Sequence, residues 1–559
     1  MGVVARRLLA AAGFAAVVAA CGDDSEVTVG VGGDAAGRGN TAGNGAAAGG
    51  SAQGGVGGGG VGGDRAGAPT GGVAESEGGA AVVAGASGDN VTEGGTGGVT
   101  PAVGGAGAGV GGSPSGGDAG GAGGAGSVPG FRWAKILNAE THGVVRSSTA
   151  LVTASLFSGA PFDAGCGQLV SSDGSLLVAS FREEDGTCRW SPQFSKGGGG
   201  MPLDLELGLD GRLYLGGDFS GASLDLGGGP LSKLVANWHA PFVGVFELSE
   251  SGLTHVWSTA FDGRGQVDAL QVGTGLNVAG TFYTSVKIDG QYAAPCCSAA
   301  YGAFATRLNA PDDAAWVAGA RAVSPTALDD VLVQDVAESG GTVFVTGRVD
   351  GPATFGATPV TPIGWGDIFL AGYDAANGAL KFVKHWGAAS SYGIGRRLLA
   401  EPGGTVVLGA VANEGTDFGD GALVGSQNHL LLARFDAAGN VVKTTSVHVD
   451  YGNVFDVARR SNGDLVVFGM FRRTLTLGGA TLVPEPHGDP FVAELSTDFS
   501  TWSHAEAFQT PTEDFNPGRL TLTSDGSIAL ALNFQQWVDA RGTRFASGTG
   551  WSTLLGVLQ

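Results

Sequence analysis

The segment LVVFGMF at residues 465–471 is one of seven similar apolar segments along this chain. The other six are LVTASLF (151–157), LYLGGDF (213–219), LNVAGTF (276–282), VFVTGRV (343–349), VVLGAVA (406–412) and IALALNF (528–534). Neighbouring copies end 59 to 67 residues apart, and self-similarity at a nearly fixed period is the signature of a repeat architecture. The chain from Phe131 to Gln559 is therefore predicted to contain seven variations on one unit.

Each unit has the pattern of an antiparallel β-sheet. The apolar segment is followed by a glycine-bearing stretch such as LTLGGATL (475–482), and then by a second apolar strand such as FVAELST (491–497). Tight turns, such as the one from Asp436 to Asn440, separate the strands. Strands that are apolar along their whole length suit sheets covered on both faces, as neighbouring propeller blades are. The sequence thus predicts an all-β, seven-bladed β-propeller over residues 131–559.

The two ends of this region predict how the propeller closes. RWAKILN (132–138) has the pattern of the tryptophan-bearing strand, and STLLGVL (552–558) that of the strand preceding it in other units. We expect the C-terminal strand to pair into the first blade, because closure removes open sheet edges that promote aggregation. Glycines within the apolar segments predict close backbone approach near a crowded axis. They are Gly217, Gly280, Gly347 and Gly469.

The order of these elements resembles a family of bacterial extracellular β-propeller repeats, whose members are often secreted or lipid-anchored. The stretches FVAELSTDFSTWSHAEAF (491–508) and TDFGDGALVGSQNHLLLARFDAAGN (416–440) carry the resemblance best, and units one, three and seven match it loosely. The resemblance implies a propeller and an exported location. It implies no activity, because a fold does not determine a function.

The N-terminus has the pattern of an export signal over residues 1–20. Arg6 and Arg7 precede an apolar stretch that is too short to cross a bilayer, which indicates a cleaved signal peptide. The sequence VAAC at 18–21 resembles a bacterial lipobox, which implies cleavage before Cys21 and lipidation of that residue. Gly22 in place of an aspartate favours the outer membrane. An ordinary signal with an incidental cysteine is the alternative, and both the general secretory and the twin-arginine routes stay open.

Residues 21–130 are predicted to be a disordered Gly/Ala-rich tether. The segment has almost no aromatic residues, so it cannot bury enough apolar surface to offset the entropy of ordering. A flexible coil of this length spans roughly 60 Å. The whole chain has 30 basic and 52 acidic residues, a net charge of −22, which speaks against nucleic-acid binding. We expect a monomer attached to the membrane through its N-terminal acyl anchor.

Four cysteines remain once Cys21 is lipidated: Cys166, Cys188, Cys296 and Cys297. An even number in an exported protein makes disulfides plausible, and the repeat register favours a bond between Cys166 and Cys188. The adjacent pair at 296 and 297 would be a vicinal disulfide or two thiols. With no CxxC motif and no histidine near either pair, zinc is not expected.

Sequence motifs for catalysis are missing from the chain. It contains no GxSxG nucleophile elbow, no phosphate-binding loop flanked by strand and helix, and no HExxH. The eight histidines are scattered, and the Asp-Gly pairs suit hairpin turns better than calcium loops. We therefore predict no catalytic residue, no metal and no cofactor, and the sequence leans against an enzyme without settling the question.

One group of residues is a candidate ligand-binding face. Loops that follow the glycine-bearing stretches should leave the same face of the propeller, and they carry several aromatic residues. These are Trp238, His239, Tyr292, Tyr301, Trp365 and Trp551, with His487 beside them. Exposed aromatic rings stack on sugars or apolar peptides. The alternative is that the rings fill gaps between blades.

Three functions stay open on the sequence. The first is a non-enzymatic surface module that binds a glycan, a matrix polymer or a protein through one face. The second is a propeller hydrolase or lyase, which predicts Asp, Glu, His or Arg side chains with perturbed pKa values gathered at the central channel. The third is a structural scaffold with no specific ligand.

Overall fold

The computed structural model describes residues 128–194, 199–233, 238–294, 301–323, 330–425, 428–511, 518–548 and 550–559. The predicted signal peptide, Cys21, nearly all of the predicted tether, Cys296 and Cys297 lie outside the described residues. Within those ranges every regular element is a β-strand. The predicted all-β class is therefore confirmed.

Strand β1 (Phe131–Leu137) opens the described chain, and three sheets follow it. Sheet 1 contains β2 (Glu140–Arg146), β3 (Ala150–Asp163), β4 (Gln168–Arg182), β5 (Cys188–Trp190) and β6 (Gln193–Phe194). Sheet 2 contains β7 (Gly200–Leu207), β8 (Arg212–Phe219), β11 (Ala240–Ser249) and β12 (Gly252–Ala260), and its inserted hairpin is β9 (Ser223–Asp225) with β10 (Pro230–Ser232). Sheet 3 contains β13 (Asp262–Val272), β14 (Leu276–Ile288), β16 (Tyr301–Ala310) and β17 (Asp313–Ala322), with β15 (Gln291–Tyr292) beside β14.

Three further sheets repeat the plan. Sheet 4 contains β18 (Val331–Ser339), β19 (Thr342–Val349), β22 (Asp367–Asp374) and β23 (Leu380–Trp386), and its hairpin β20 (Ala353–Phe355) with β21 (Thr358–Val360) extends the outer edge of sheet 3. Sheet 5 contains β24 (Ile394–Glu401), β25 (Thr405–Asn413), β26 (Asn428–Phe435) and β27 (Val441–Asp450). Sheet 6 contains β28 (Gly452–Arg459), β29 (Leu465–Phe471), β32 (Asp489–Leu495) and β33 (Trp502–Ala507), with the hairpin β30 (Leu475–Leu477) and β31 (Ala480–Leu482).

The remaining sheet is composite, because it joins both ends of the described chain. It contains β34 (Arg519–Leu522), β35 (Ile528–Phe534), β38 (Ser552–Leu558) and β1, with the hairpin β36 (Trp537–Ala540) and β37 (Thr543–Ala546) between β35 and β38. Strand β38 pairs antiparallel with β1, and the register places Leu555 opposite Lys135. The C-terminal strand thus pairs with the first strand of the domain, as the repeat pattern predicts.

These sheets are arranged as a β-propeller. The sequence predicts seven blades of one kind, whereas six are built from a single continuous segment and the remaining sheet is composite. The difference arises because the domain begins with β1, which is the fourth strand of the composite sheet. The other three strands of that sheet come from the C-terminal end of the chain. All seven key apolar segments form the second strand of a sheet.

Packing between neighbouring sheets forms the core. Phe344 and Leu370 of sheet 4 lie in one cluster with Leu408 and Leu431 of sheet 5, and comparable clusters join the other neighbours. The key segments are buried on both sides, which is why they carry no polar alternation. A Cβ atom at Gly347 would overlap the carbonyl oxygen of Leu332 in the first strand, so the predicted close backbone approach is present.

Strand direction gives each sheet two ends. The first and third strands of each sheet begin at one side, and the second and fourth strands end there. The connections at this side include the inserted hairpins and the links from one sheet to the next. We call this side the long-loop face. At the opposite side the strands are joined mainly by tight turns, and we call it the hairpin face.

A disulfide bond joins Cys166 and Cys188 in sheet 1, which is the pairing that the repeat register favours. Cys166 lies in the turn between β3 and β4, and Cys188 begins the short outer strand β5. The bond closes a loop across 22 positions of sequence. It therefore fixes the outer edge of sheet 1, where β5 is too short to do so through many ladder bonds.

Candidate functional site

The first strands of all seven sheets surround a central cavity of about 510 Å³. The charged residues on its lining come from six sheets, and they are Arg146, Asp204, Glu206, Asp335, Arg397, Asp456, Arg459 and Arg519. The strand edge that faces this cavity has no neighbouring strand. Its backbone donors therefore need acceptors from side chains or water.

Five of these residues occupy equivalent places in the repeat. Asp204, Asp335, Arg397, Asp456 and Arg519 each pair with the fourth residue of the key apolar segment in their sheet. The first four directly follow a β-bulge, which turns the side chain relative to the regular strand. These equivalent positions therefore form a ring at one level of the channel. Most positions of this ring carry a charged side chain.

The aspartates of this ring connect adjacent sheets. Asp204 accepts a hydrogen bond from the backbone N–H of Leu270 in sheet 3, at 2.8 Å. Asp335 accepts one from Leu398 in sheet 5 at 2.6 Å, and Asp456 accepts one from Leu520 in the composite sheet at 2.9 Å. Each carboxylate thus satisfies a donor on the open edge of the next first strand. This contact gives the three aspartates a structural role.

Arg397 lies between two of these carboxylates. Its Nε donates to Asp456 at 2.9 Å, and its Nη1 lies 3.5 Å from Asp335. Burial would lower the pKa of Arg397, but the carboxylates of Asp335, Asp456 and Asp204 outweigh burial and raise that pKa well above its usual value. Burial raises the pKa of Asp335 to about 6, although Arg397 opposes the rise. Arg397 and Asp335 stay charged because each is the counter-ion of the other.

Glu206 lies one ring further toward the hairpin face. Burial, followed by the negative charge of Asp204, raises the pKa of Glu206 to about 8. Its carboxyl is therefore mostly protonated at neutral pH, and it can donate a hydrogen bond or release a proton. A carboxylic acid of this kind in a cavity beside a cationic residue is one feature of acid–base sites.

The channel has a different character toward the long-loop face. Arg396, the bulge residue before Arg397, donates to the side-chain oxygens of Gln334 at 2.7 Å and Asn453 at 3.0 Å. Burial and the nearby positive charge of Arg348 lower the pKa of Arg396 to about 10. No carboxylate in the part of the chain that the structure describes contributes to that pKa. This guanidinium is thus held by neutral amides.

A second cation without a carboxylate partner lies on the long-loop face itself. Arg264, near the start of β13, stacks on the ring of Trp238 at 3.3 Å and on that of Tyr283 at 4.1 Å. It also forms a hydrogen bond with Tyr301, and burial lowers its pKa. Tyr283 and Tyr301 contact each other edge to face at 5.2 Å. Three sheet-3 residues and one residue that precedes β11 therefore meet at this point.

His239 belongs to the same cluster. Its carbonyl accepts a hydrogen bond from the Gly265 backbone at 3.1 Å, and its Nδ1 bonds to Asp218. Asp218 is buried, while more than half of the His239 side chain is exposed. Hydrogen bonding to Asp218 raises the pKa of His239 above its usual value. The buried carboxylate thus fixes the orientation of an imidazole that reaches solvent.

A similar histidine–aspartate pair on sheet 4 has a structural explanation. Asp367 bonds to His385 at 2.8 Å, but its oxygens also accept the backbone N–H groups of Ile363 and Gly364. Asp367 therefore holds the connection between β21 and β22 in place. Asp218 makes no such loop contact among the hydrogen bonds of the described residues.

The predicted aromatic face is brought together in part. Trp238, His239 and Tyr301 meet around Arg264, as described above. Trp365 is 70% exposed, and its backbone bonds to Ser391 next to Tyr392, whose ring lies 4.5 Å from the Arg348 guanidinium. Tyr292 lies in the short strand β15 under the Lys287 ammonium, and Trp551 is half-buried just before β38. His487 lies two residues before β32.

Exposed apolar side chains are concentrated on the long-loop face. Among the described residues, eleven large apolar side chains are exposed. Nine of them lie in or beside connections of the long-loop face: Val170, Tyr292, Val323, Ile363, Trp365, Tyr392, Val424, Tyr451 and Val483. Only Leu209 and Val442 lie at the hairpin face. The exposed apolar side chains of the described residues are therefore unequally divided between the two faces.

Sequence reasoning missed Arg264, Asp218 and the charged ring of the channel. The signal for the ring was present, because Asp204, Arg397, Asp456 and Arg519 all precede their key segment by nine residues. An alignment of the first strands, in addition to the second, would have found it. The Arg264 cluster has no comparable signal, since its residues come from four separate segments.

Two further properties of the described residues bear on function. They contain no group of three or more His, Cys, Asp or Glu side chains placed to hold a metal ion. Nor does this part of the chain include a helix with the length and apolar character that a membrane crossing requires.

No protein-family model and no curated protein matches the chain. Among solved structures, it is similar to BamB from Moraxella catarrhalis, with 11% identity over 76% of this chain and 98% of that one and a TM-score of 0.33. A quinohemoprotein alcohol dehydrogenase, ADHIIG from Pseudomonas putida HK5, gives 12% identity, 59% and 55% coverage and a TM-score of 0.30. The match therefore spans only about half of that dehydrogenase. An ulvan lyase of polysaccharide lyase family PL25 gives 9% identity, 75% and 95% coverage and 0.34. Likeness this distant carries no argument about activity.

Proposed function

We propose that this protein is a cell-envelope lipoprotein that presents its propeller as a non-enzymatic binding module. The long-loop face is the ligand-binding face, and the composite sheet completes a seventh blade. The observation that carries the proposal is the concentration of exposed apolar side chains on that face. Leaving apolar side chains in water is unfavourable, and a partner that covers them removes that cost.

The way in which Arg264 is held supports the same assignment. At the hairpin face, arginines are neutralised by buried carboxylates, as in Arg307 with Glu338 at 2.7 Å and Arg434 with Glu401 at 2.6 Å. Arg264, on the long-loop face, is instead held by aromatic rings and a tyrosine hydroxyl. Cations without an internal counter-ion are available to a ligand.

A binding screen tests this proposal. The full-length chain is applied to a glycan array and to the extracellular matrix of the host, alongside the variants Trp238→Ala, Trp365→Ala and Trp551→Ala. Saturable binding that Trp365→Ala or Trp238→Ala abolishes supports the proposal. Equal binding by all variants, or no binding to any component, contradicts a ligand face built from these aromatic residues.

We also propose that Cys21 is lipidated and holds the protein in the outer membrane, with residues 21–130 as its tether. The lipobox-like sequence at 18–21 supports this assignment. Cells fed an alkyne-tagged fatty acid should label the wild-type chain, and Cys21→Ser should remove the label and release the protein from the membrane fraction. A labelled Cys21→Ser variant, or an unlabelled wild type, would contradict the assignment.

A hydrolase or lyase site in the central channel is the second candidate function. The neutral carboxyl of Glu206 near Arg397 favours it, because that pair offers an acid and an anion-stabilising cation in one cavity. The backbone contacts of the three aspartates speak against it, since those groups are already occupied. Turnover of a polysaccharide panel by the wild type, lost in Glu206→Gln, would favour the enzyme over the binding module.

A further inference from the structure

Arg264 differs from most arginines of this molecule in how its charge is accommodated. Its guanidinium is half-buried against two aromatic rings, and no carboxylate among the described residues contributes to its pKa. A guanidinium covered by rings still presents its in-plane N–H groups. Those groups match the two oxygens of a carboxylate in a bidentate arrangement.

The neighbours of Arg264 keep this site positive. His239 is paired with Asp218, so that carboxylate is used within the protein. The charges of Lys233 and Arg264 both act on His239. The cluster thus gathers two permanent cations and an imidazole near two acids: Asp218, which is paired with His239, and Asp330, which accepts a hydrogen bond from the Tyr301 backbone at 3.2 Å. In a chain with a net charge of −22, a local positive site of this kind is selective for an anion that fits it.

The same cluster offers rings for a sugar. Trp238 and Tyr301 are both partly exposed, and Tyr301 contributes a hydroxyl next to the guanidinium. Aromatic rings pack on the apolar face of a pyranose, while tyrosine and arginine supply directional hydrogen bonds to its polar groups. Sheet 4 adds further exposed rings at Trp365 and Tyr392, so a polymer of several residues can contact more than one site on this face.

We propose that Arg264, within its cluster of Trp238, Tyr283, Tyr301 and His239, binds the carboxylate of a uronic acid in an acidic polysaccharide. This inference rests on the proposed binding function and names its ligand class. The guanidinium binds the acid group, and the rings of Trp238 and Tyr301 pack against the sugar.

The test measures binding of the full-length chain to polygalacturonate, with the neutral polymer pullulan of equal length for comparison. We expect polygalacturonate to bind at least about tenfold more tightly, because a charge-assisted bidentate contact is worth that much or more. Arg264→Gln should remove that advantage. Arg264→Lys should retain only part of it, since an ammonium lacks the planar pair of donors.

A matched control lies in the same chain. Arg544 stacks on Trp537 at 3.7 Å in the outer hairpin of β36 and β37, and it also lies 3.6 Å from Asp539. Arg544→Gln removes the same charge and the same kind of stacking, yet it should leave polygalacturonate binding within about twofold of wild type. A melting temperature measured for every variant separates loss of the site from loss of the fold.

Four results would overturn the inference. Equal binding of pullulan and polygalacturonate excludes recognition of the acid group, and equal losses in Arg264→Gln and Arg544→Gln indicate non-specific charge attraction. Tighter binding of poly-glutamate than of polygalacturonate points to an acidic protein instead of a sugar. If a neutral glycan binds in a way that requires Trp365 but not Arg264, the inference fails while the proposed binding function stands.

Discussion

Arg434 on the hairpin face and Arg264 on the long-loop face are held in opposite ways. On the hairpin face, Arg434 donates to both oxygens of the buried Glu401, and Arg307 is similarly paired with Glu338. On the long-loop face, Arg264 lies among aromatic rings, and most of the exposed apolar side chains surround the connections there. Arg264 thus differs from Arg434, and also from Arg348 on its own face, which pairs with Asp350, because no carboxylate of the described residues contributes to the pKa of Arg264. Under the proposed function, that guanidinium is left for a ligand.

The largest effect in this comparison is expected at the hairpin face. Arg434→Ala leaves the buried Glu401 without its bidentate partner, and removing one member of such a pair costs about 4 kcal/mol. Urea unfolding should show this loss in the free energy of unfolding, while ligand binding by the folded fraction stays unchanged. A loss below about 1 kcal/mol would place this pair with ordinary surface ion pairs.

The acidic half of the channel should make stability depend on pH. The folded-state pKa of Glu206, about 8, lies above its ordinary value of 4.5, so its protonated form is favoured by folding. That contribution is complete below pH 4.5 and is lost as the pH rises through 8. Between pH 5 and 7.5 the loss is up to about 3 kcal/mol.

The Glu206→Gln variant isolates this contribution, because a glutamine keeps the volume and cannot ionise. The difference in free energy of unfolding between the wild type and the variant should change steadily over that pH range. Parallel curves for the two proteins would show that Glu206 is solvated and has an ordinary pKa.

The two histidine–aspartate pairs of the long-loop face should differ in how much they contribute to stability. Asp367→Asn disturbs two backbone contacts and His385 together, so it should cost about 2 kcal/mol of stability. Asp218→Asn replaces the charged partner of His239 alone with a neutral amide and should cost about 1 kcal/mol. Thermal denaturation measures both losses, and a larger loss for Asp218→Asn would reverse the assigned roles.

The smallest effect on stability is expected for the exposed apolar residues. Trp365→Ala and Leu209→Ala remove a large exposed side chain from the long-loop face and the hairpin face respectively. Each should change the free energy of unfolding by less than about 0.5 kcal/mol. Their binding should differ, since only Trp365→Ala is expected to weaken retention on the glycan array. Equal retention of both variants would remove Trp365 from the binding surface.

Much of the fold follows from local patterns in the sequence. The key apolar segments, their glycines and the complementary strands at both ends predict the all-β class, the sheets and the pairing of β38 with β1. The chain has seven repeats but only six sheets that are built from one continuous segment, because the remaining sheet combines strands from both ends of the described chain. Local patterns suffice here because each sheet is built almost entirely from residues that are close in the sequence.

The candidate sites were less accessible to the same reasoning. Trp238 and Tyr301 are visible as aromatic loop residues, but the contact of both with Arg264 depends on how sheets 2 and 3 lie side by side. Asp335 and Asp456 resemble ordinary strand residues until their bonds to the next sheet are known. Periodicity predicts an element, whereas a site needs the distances between elements.

A comparison of two surface variants tests whether the long-loop face carries the binding site. One variant combines Ile363→Ser, Trp365→Ala and Tyr392→Ser on the long-loop face, and the other combines Leu209→Ser and Val442→Ser on the hairpin face. Both are compared with the wild type for binding to the glycan array and the host matrix, after equal melting temperatures have been verified. Only the long-loop variant should lose binding. Retained binding by that variant, or loss in the hairpin variant, would contradict this assignment of the binding site.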